Sequence, residues 1–138
     1  MFKFDIVLSE LFYDDLPIDT FANRITKAKL YADISQKELS RLTGLSRSTI
    51  SDLEAGYRNE ISKDTLLKLL NVLDPKILCD DYCNFILNQK DNMQILIKKY
   101  TIKELSFKLN VNRSTIERWR DEKYQIKREM YNKLRLLL

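Results

Sequence analysis

The sequence predicts an all-α fold, with a five-helix bundle around one helix, tight turn, helix unit and a smaller second bundle around another. Three observations carry this expectation. Only 2 of the 138 residues are Gly and 2 are Pro, a scarcity that disfavours turn-rich β architecture. Apolar residues recur three and four apart along most of the chain, the period of a helix buried on one side. The chain also repeats itself at an offset of 66 positions: Ser35-Gln36-Lys37-Glu38-Leu39-Ser40 meets Thr101-Ile102-Lys103-Glu104-Leu105-Ser106, and Ser46-Arg47-Ser48-Thr49-Ile50 meets Asn112-Arg113-Ser114-Thr115-Ile116. Two matching blocks with the spacing between them preserved point to a duplicated unit.

The elements follow in order. In residues 1–20, Phe2, Phe4, Ile6 and Leu8 alternate like a strand, whereas Ile6, Val7, Glu10 and Leu11 suit a helix, which is the reading taken here. A helix over 21–31 turns Phe21, Ile25 and Ala28 inward. Ser35, with Glu38 three positions on, forms a capping box that opens a helix over 36–43. Gly44 supplies its left-handed exit. Leu45 is an apolar turn residue, and Ser46 caps a helix over 47–55 that buries Ile50 and Leu53. Ser62 caps 63–73, with an apolar stripe at Leu66, Leu69, Leu70 and Leu73. Asp74-Pro75 is an N-cap and first-position pair opening 75–88, where Ile77, Leu78, Tyr82, Phe85 and Ile86 form one face. The polar stretch Asn88-Gln89-Lys90-Asp91-Asn92 reads as a linker, dividing a domain over 21–88 from a second unit over 91–138.

The second unit repeats the grammar of the first. Met93 to Tyr100 flanks it, Thr101 and Glu104 form the capping box of a helix over 102–109, and Asn110 is the exit residue. Val111 fills the turn, Asn112 caps a helix over 113–122 with Ile116 and Trp119 inward, and 126–136 closes the unit. Trp119 stands where Leu53 stands in the first unit and reads as core.

Charge is unevenly spread. Residues 1–74 hold 10 Lys and Arg against 12 Asp and Glu, while 75–138 hold 14 against 8, so the basic excess lies in the C-terminal half. That suits a polyanionic partner and also a plain solvated helix surface. No apolar run approaches the ~20 residues of a membrane span, and the opening residues lack the charged-then-apolar design of a secretion signal. A cytoplasmic protein without membrane partner is expected. The chain has 2 Cys, at Cys79 and Cys83, and no His, so we read both thiols as buried and reduced and expect no metal site and no cofactor.

From Gln36 to Gly56 the sequence resembles the Cro and phage-repressor (XRE) type of helix-turn-helix, through Gln36, Leu39, Ser40, Gly44, Leu45, Ser46, Ile50, Ser51, Glu54 and Gly56. With its flanking helices the resemblance covers residues 21–88. It implies five helices around the motif, with the second motif helix lying in the DNA major groove as sequence reader. Position by position, it implies that Gln36 holds a phosphate and that Arg47, Ser48, Ser51 and Asp52 face base edges, with Arg47 first among them. Arginine is shaped for bidentate contact with guanine. Asp52 would accept from cytosine or restrain Arg47. Arg58, Asn59 and Lys63 would meet the sugar-phosphate backbone, and Lys29 with Glu54 would tie the reader helix to the first helix. The second unit departs from this pattern, because Arg120 and Glu122 replace Glu54 and Gly56 and Ile95 replaces Lys29. It looks more like the broader helix-turn-helix group, with Asn112, Arg113, Ser114, Glu117 and Arg118 on its exposed face.

These readings favour a sequence-specific regulator of transcription, of the repressor type, on double-stranded DNA. Enzymatic chemistry is disfavoured, since the chain offers no His, no glycine-rich phosphate loop and no repeated acidic cluster. The competing class is an antitoxin or adaptor acting through a protein partner, for which Phe2, Phe4, Ile6, Leu11, Phe12 and Tyr13 among acidic residues, or Leu134, Leu136, Leu137 and Leu138, would be the surface. Apolar chain ends more often fold onto the core or into a homodimer.

Overall fold

The computed structural model describes residues 13, 15–58 and 60–138. Among them every regular element is a helix, and no helix is long and apolar enough to cross a membrane. The chain divides into two compact units, Met1–Asp80 and Asp81–Leu138.

The first unit holds α1 (Phe21–Tyr31), α2 (Gln36–Thr43), α3 (Arg47–Ala55), α4 (Lys63–Leu70) and α5 (Pro75–Leu78). Local chemistry sets the starts: Thr20, Ser35, Ser46 and Ser62 each lie in extended backbone and accept a bond from the amide three residues on, satisfying a donor that the helix cannot. Asp74 does the same for Lys76 N at 2.9 Å, with Pro75 as first helical residue. Ile25, Leu39, Ile50, Leu66, Leu69 and Leu78 have no measurable solvent exposure and form the centre of the core.

Four expectations for this unit need correction. Of the N-terminal segment read as a helix, residues 1–12 and 14 lie outside those described, Tyr13 is helical, and 15–20 are turn, bend or irregular. Pro17 keeps the residue before it out of the helical region. The helix expected over 63–73 stops at Leu70, because its last turn tightens: Asn71 N bonds to Lys68 O and Val72 N to Leu69 O, i to i+3. The helix expected over 75–88 breaks at Cys79, whose backbone is extended. Arg24 donates to the carbonyls of Ile77 and Cys79, both at 3.2 Å, taking acceptors that a continuing helix would have used. The domain boundary consequently falls after Asp80 rather than after 88.

The second unit holds α6 (Asp81–Leu87), α7 (Gln89–Leu109), α8 (Arg113–Arg120), α9 (Arg128–Leu134) and a closing 3-10 turn, Arg135–Leu137. The stretch read as a linker opens α7 and belongs to this unit. α7 is two helical runs interrupted at Thr101, at φ 70° and ψ 156°, where Thr101 Oγ1 accepts from Glu104 N at 3.3 Å. Tyr82 explains why α6 lies here: its hydroxyl donates to Ile126 O at 2.6 Å, and its ring meets that of Tyr131 edge-on at 5.7 Å. Phe85 packs on the same Tyr131 ring at 5.2 Å. Leu105, Ile116, Ile126 and Leu134 complete a sealed centre.

Here too helix ends differ from expectation. The helix over 113–122 ends at Arg120, and the one over 126–136 begins at Arg128 and finishes as the 3-10 turn. Ile126 N bonds to Gln89 Oε1 at 2.9 Å, which draws 125–127 out of helical register. Asn112 occupies the N-cap position without a side-chain cap bond. Both cysteines are free and buried, and burial, then the Asp80 carboxylate, pushes the Cys79 thiol up, so it stays protonated at neutral pH.

Candidate nucleic-acid interface

In the first unit α2 and α3 are joined by Gly44, Leu45 and Ser46. Gly44 stands at φ 78°, a conformation that glycine takes at no steric cost. Ser40 clamps the turn by donating to Leu45 O at 2.6 Å. α3 then ends at Gly56, φ 80°, with Tyr57 N bonded back to Asp52 O at 3.0 Å and Gly56 N to Leu53 O at 3.3 Å. This is the six-to-one and five-to-two pattern that closes a helix at a left-handed residue.

The second unit shares the clamp of the turn and the closure of the second helix. Asn110 exits the preceding helix at φ 54°, and Ser106 donates to Val111 O at 2.5 Å. α8 closes with Lys123 N on Arg118 O at 2.9 Å and Glu122 N on Trp119 O at 3.2 Å. Glu122 takes the left-handed place of Gly56, at φ 55°. The strain of a side chain there is offset by its carboxylate, which accepts from Lys90 N at 3.2 Å. Leu39 and Leu105, Ile50 and Ile116, and Leu53 and Trp119 are buried pairs, each related by the same offset.

With one side of α3 buried, its other side is open: Arg47, Ser48 and Ser51 are exposed and Asp52 is half-buried. Gln36 is half-buried at the first position of α2, Arg58 is exposed just past α3, and Lys63 is half-buried at the start of α4. Asn59 lies outside the described residues. Asp52 pairs with Arg58 at 3.7 Å, so the restraint expected on Arg47 falls on Arg58 instead. Glu38, expected to complete a capping box, bonds to Arg41, which holds its carboxyl below the usual carboxylate range.

Lys29 and Glu54 meet: Lys29 Nζ lies 2.9 Å from Oε1 and 3.0 Å from Oε2, and Thr26 Oγ1 donates to Oε2 at 3.3 Å. The side chains retain only 14% and 12% of their exposure, so the pair holds α3 on α1 largely out of water. Lys29→Met should therefore cost about 2 kcal/mol by stranding a carboxylate, whereas adding Glu54→Gln to it should recover much of the loss. Urea denaturation of the single and double variants checks this, and equal stabilities for Lys29→Met and the parent would remove the pair from the account.

On α8, Asn112, Arg113, Ser114, Glu117 and Arg118 are all exposed. Arg120, where the first unit has Glu54, bonds to Asp121 at 3.0 Å, and Ile95, where it has Lys29, is 62% exposed. Sequence reasoning missed three residues, two in the second unit and one in the first. Gln89 is 2% exposed and bonds to Trp119 O, Tyr124 O and Ile126 N. Tyr124 lies under the Arg118 guanidinium, 5.6 Å from its ring centroid to Cζ, and Arg24 holds α5 as described. No periodicity signals any of them, since each acts across a gap or loop. The units also differ in charge: residues 1–80 hold 11 Lys and Arg against 13 Asp and Glu, and 81–138 hold 13 against 7. Among the described residues, no group of His, Cys, Asp or Glu is placed to hold a metal ion.

A scaffold helix buried along one side, a clamped left-handed turn and a second helix with one open polar face define a helix-turn-helix DNA-binding domain. Residues 32–76 match the family described as Helix-turn-helix, so that stretch of the first unit is a helix-turn-helix of the XRE type. No curated protein and no solved structure matches the chain.

Proposed function

We propose that the protein is a sequence-specific transcriptional regulator of double-stranded DNA in the cytoplasm, reading the major groove with two helices, α3 and α8. The observation that carries the second reader is the shared internal bond, Ser40 to Leu45 and Ser106 to Val111, because it gives both helix pairs the same turn. Exposed Arg47 and Arg113 then stand at equivalent first positions, each followed by Ser. In this reading Arg47, Ser48, Ser51 and Asp52 face bases in one block and Asn112, Arg113, Ser114, Glu117 and Arg118 in another. Gln36, Arg58, Asn59 and Lys63 hold phosphates and set the register. Lys29 and Glu54 keep the first reader in place.

Duplexes selected from a randomised pool by the full chain provide the test. Arg47→Ala should weaken the selected duplex by roughly 5- to 100-fold while leaving non-specific binding, dominated by phosphates, nearly intact. Arg113→Ala should do likewise at other base pairs. If Arg113→Ala leaves affinity, base preference and salt slope unchanged, the second unit is no DNA reader. An assembly or adaptor role then takes its place, with Phe107, 88% exposed on α7, as its leading contact.

A further inference from the structure

The two reader helices carry opposite chemistry at one equivalent position. One turn after Ser48, α3 presents Asp52, a carboxylate held by Arg58 at 3.7 Å. One turn after Ser114, α8 presents Arg118, whose guanidinium lies over Tyr124 at 5.6 Å. Both partners come from the loop after the reader, at the same offset of 66. We propose that Arg118 selects a guanine in the second block and that Tyr124 is the residue that positions it, an inference that rests on α8 lying in the groove as α3 does.

Stacking and base reading use different parts of a guanidinium. The ring attracts the charge centred on Cζ, whereas the N–H donors that match guanine O6 and N7 radiate from the edge of the group. An arginine with its Cζ held over a ring has fewer positions open to it, and loses less freedom on binding. The platform is itself fixed. Gln89 donates to Tyr124 O at 2.8 Å and to Trp119 O at 3.0 Å, so one buried side chain ties the loop bearing the ring to the helix bearing Arg118. Asp52, being an acceptor, matches the N4 donor of cytosine instead. At this register the two blocks differ, cytosine before one reader and guanine before the other, and the preferred site of one chain is not a simple repeat.

The experiment measures competition between selected duplexes in which every base pair of the second block is varied in turn. Arg118→Ala and Arg118→Lys should both lose discrimination for guanine at a single position, by roughly 10- to 100-fold, since lysine lacks the bidentate fork. Tyr124→Phe should keep it, and Tyr124→Ala should lose about 5-fold with the salt slope unchanged, because no phosphate contact is removed. Unaltered helical circular dichroism and melting midpoint show that each variant keeps its fold. A loss spread evenly over all sequences would make Arg118 a phosphate contact and overturn the proposal, as would a Tyr124→Ala variant that discriminates like the parent. If Arg113→Ala weakens binding while Arg118→Ala does not, the second unit reads DNA by other residues and only this inference falls. If neither substitution matters, the two-reader function falls with it.

Discussion

Ile50→Asp is expected to unfold the first unit. Ile50 has no solvent exposure and sits on the inner side of α3. An unpaired charge there loses its hydration and gains nothing, at a cost of about 4 kcal/mol or more. A small domain has only about 5–15 kcal/mol in total. Helical circular dichroism on heating should show a large drop in midpoint or no cooperative transition, and binding to the selected duplex should vanish with it. Trp119→Asp should act comparably on the second unit, as Trp119 is 7% exposed and fills the equivalent place. A variant of either kind that melts like the parent would put that side chain in solvent and reverse the assignment of buried and reading faces.

Gln89→Leu should be the second most damaging change, although it makes a buried residue more apolar. The wild-type amide nitrogen donates to Trp119 O and Tyr124 O, and its oxygen accepts from Ile126 N. Trp119 O keeps the bond from Glu122 N at 3.2 Å, so the uncompensated groups are Tyr124 O and Ile126 N. Leaving two such groups without partners costs about 3 kcal/mol, at ~1–3 kcal/mol for each buried group. Gln89→Glu should be no better, because a carboxylate accepts from Ile126 but cannot donate to either carbonyl. The chain has one tryptophan, and it lies in this unit, so fluorescence-monitored unfolding reads the effect directly. Equal midpoints for Gln89→Leu and the parent would show that the clasp carries no stability.

What the sequence determined by itself is what neighbouring residues settle among themselves. Ser35, Ser46 and Ser62 meet amides three residues away, Gly44 and Asn110 provide local left-handed exits, and Ile50 with Leu53 share a face by helical spacing alone. The starts of α1 to α5 and of α8, the two turns and the open faces of α3 and α8 were therefore legible without coordinates. Tertiary structure decided the rest. Arg24 reaches across more than fifty residues to end α5, Tyr82 draws α6 into the second unit through Ile126, and Gln89 turns a stretch with the polarity of a linker into the anchor of α8. The physical reason is one of range. Capping and periodicity are decided within a turn or two of chain, whereas satisfying a buried carbonyl can recruit any donor that the fold brings near, and no local pattern says which.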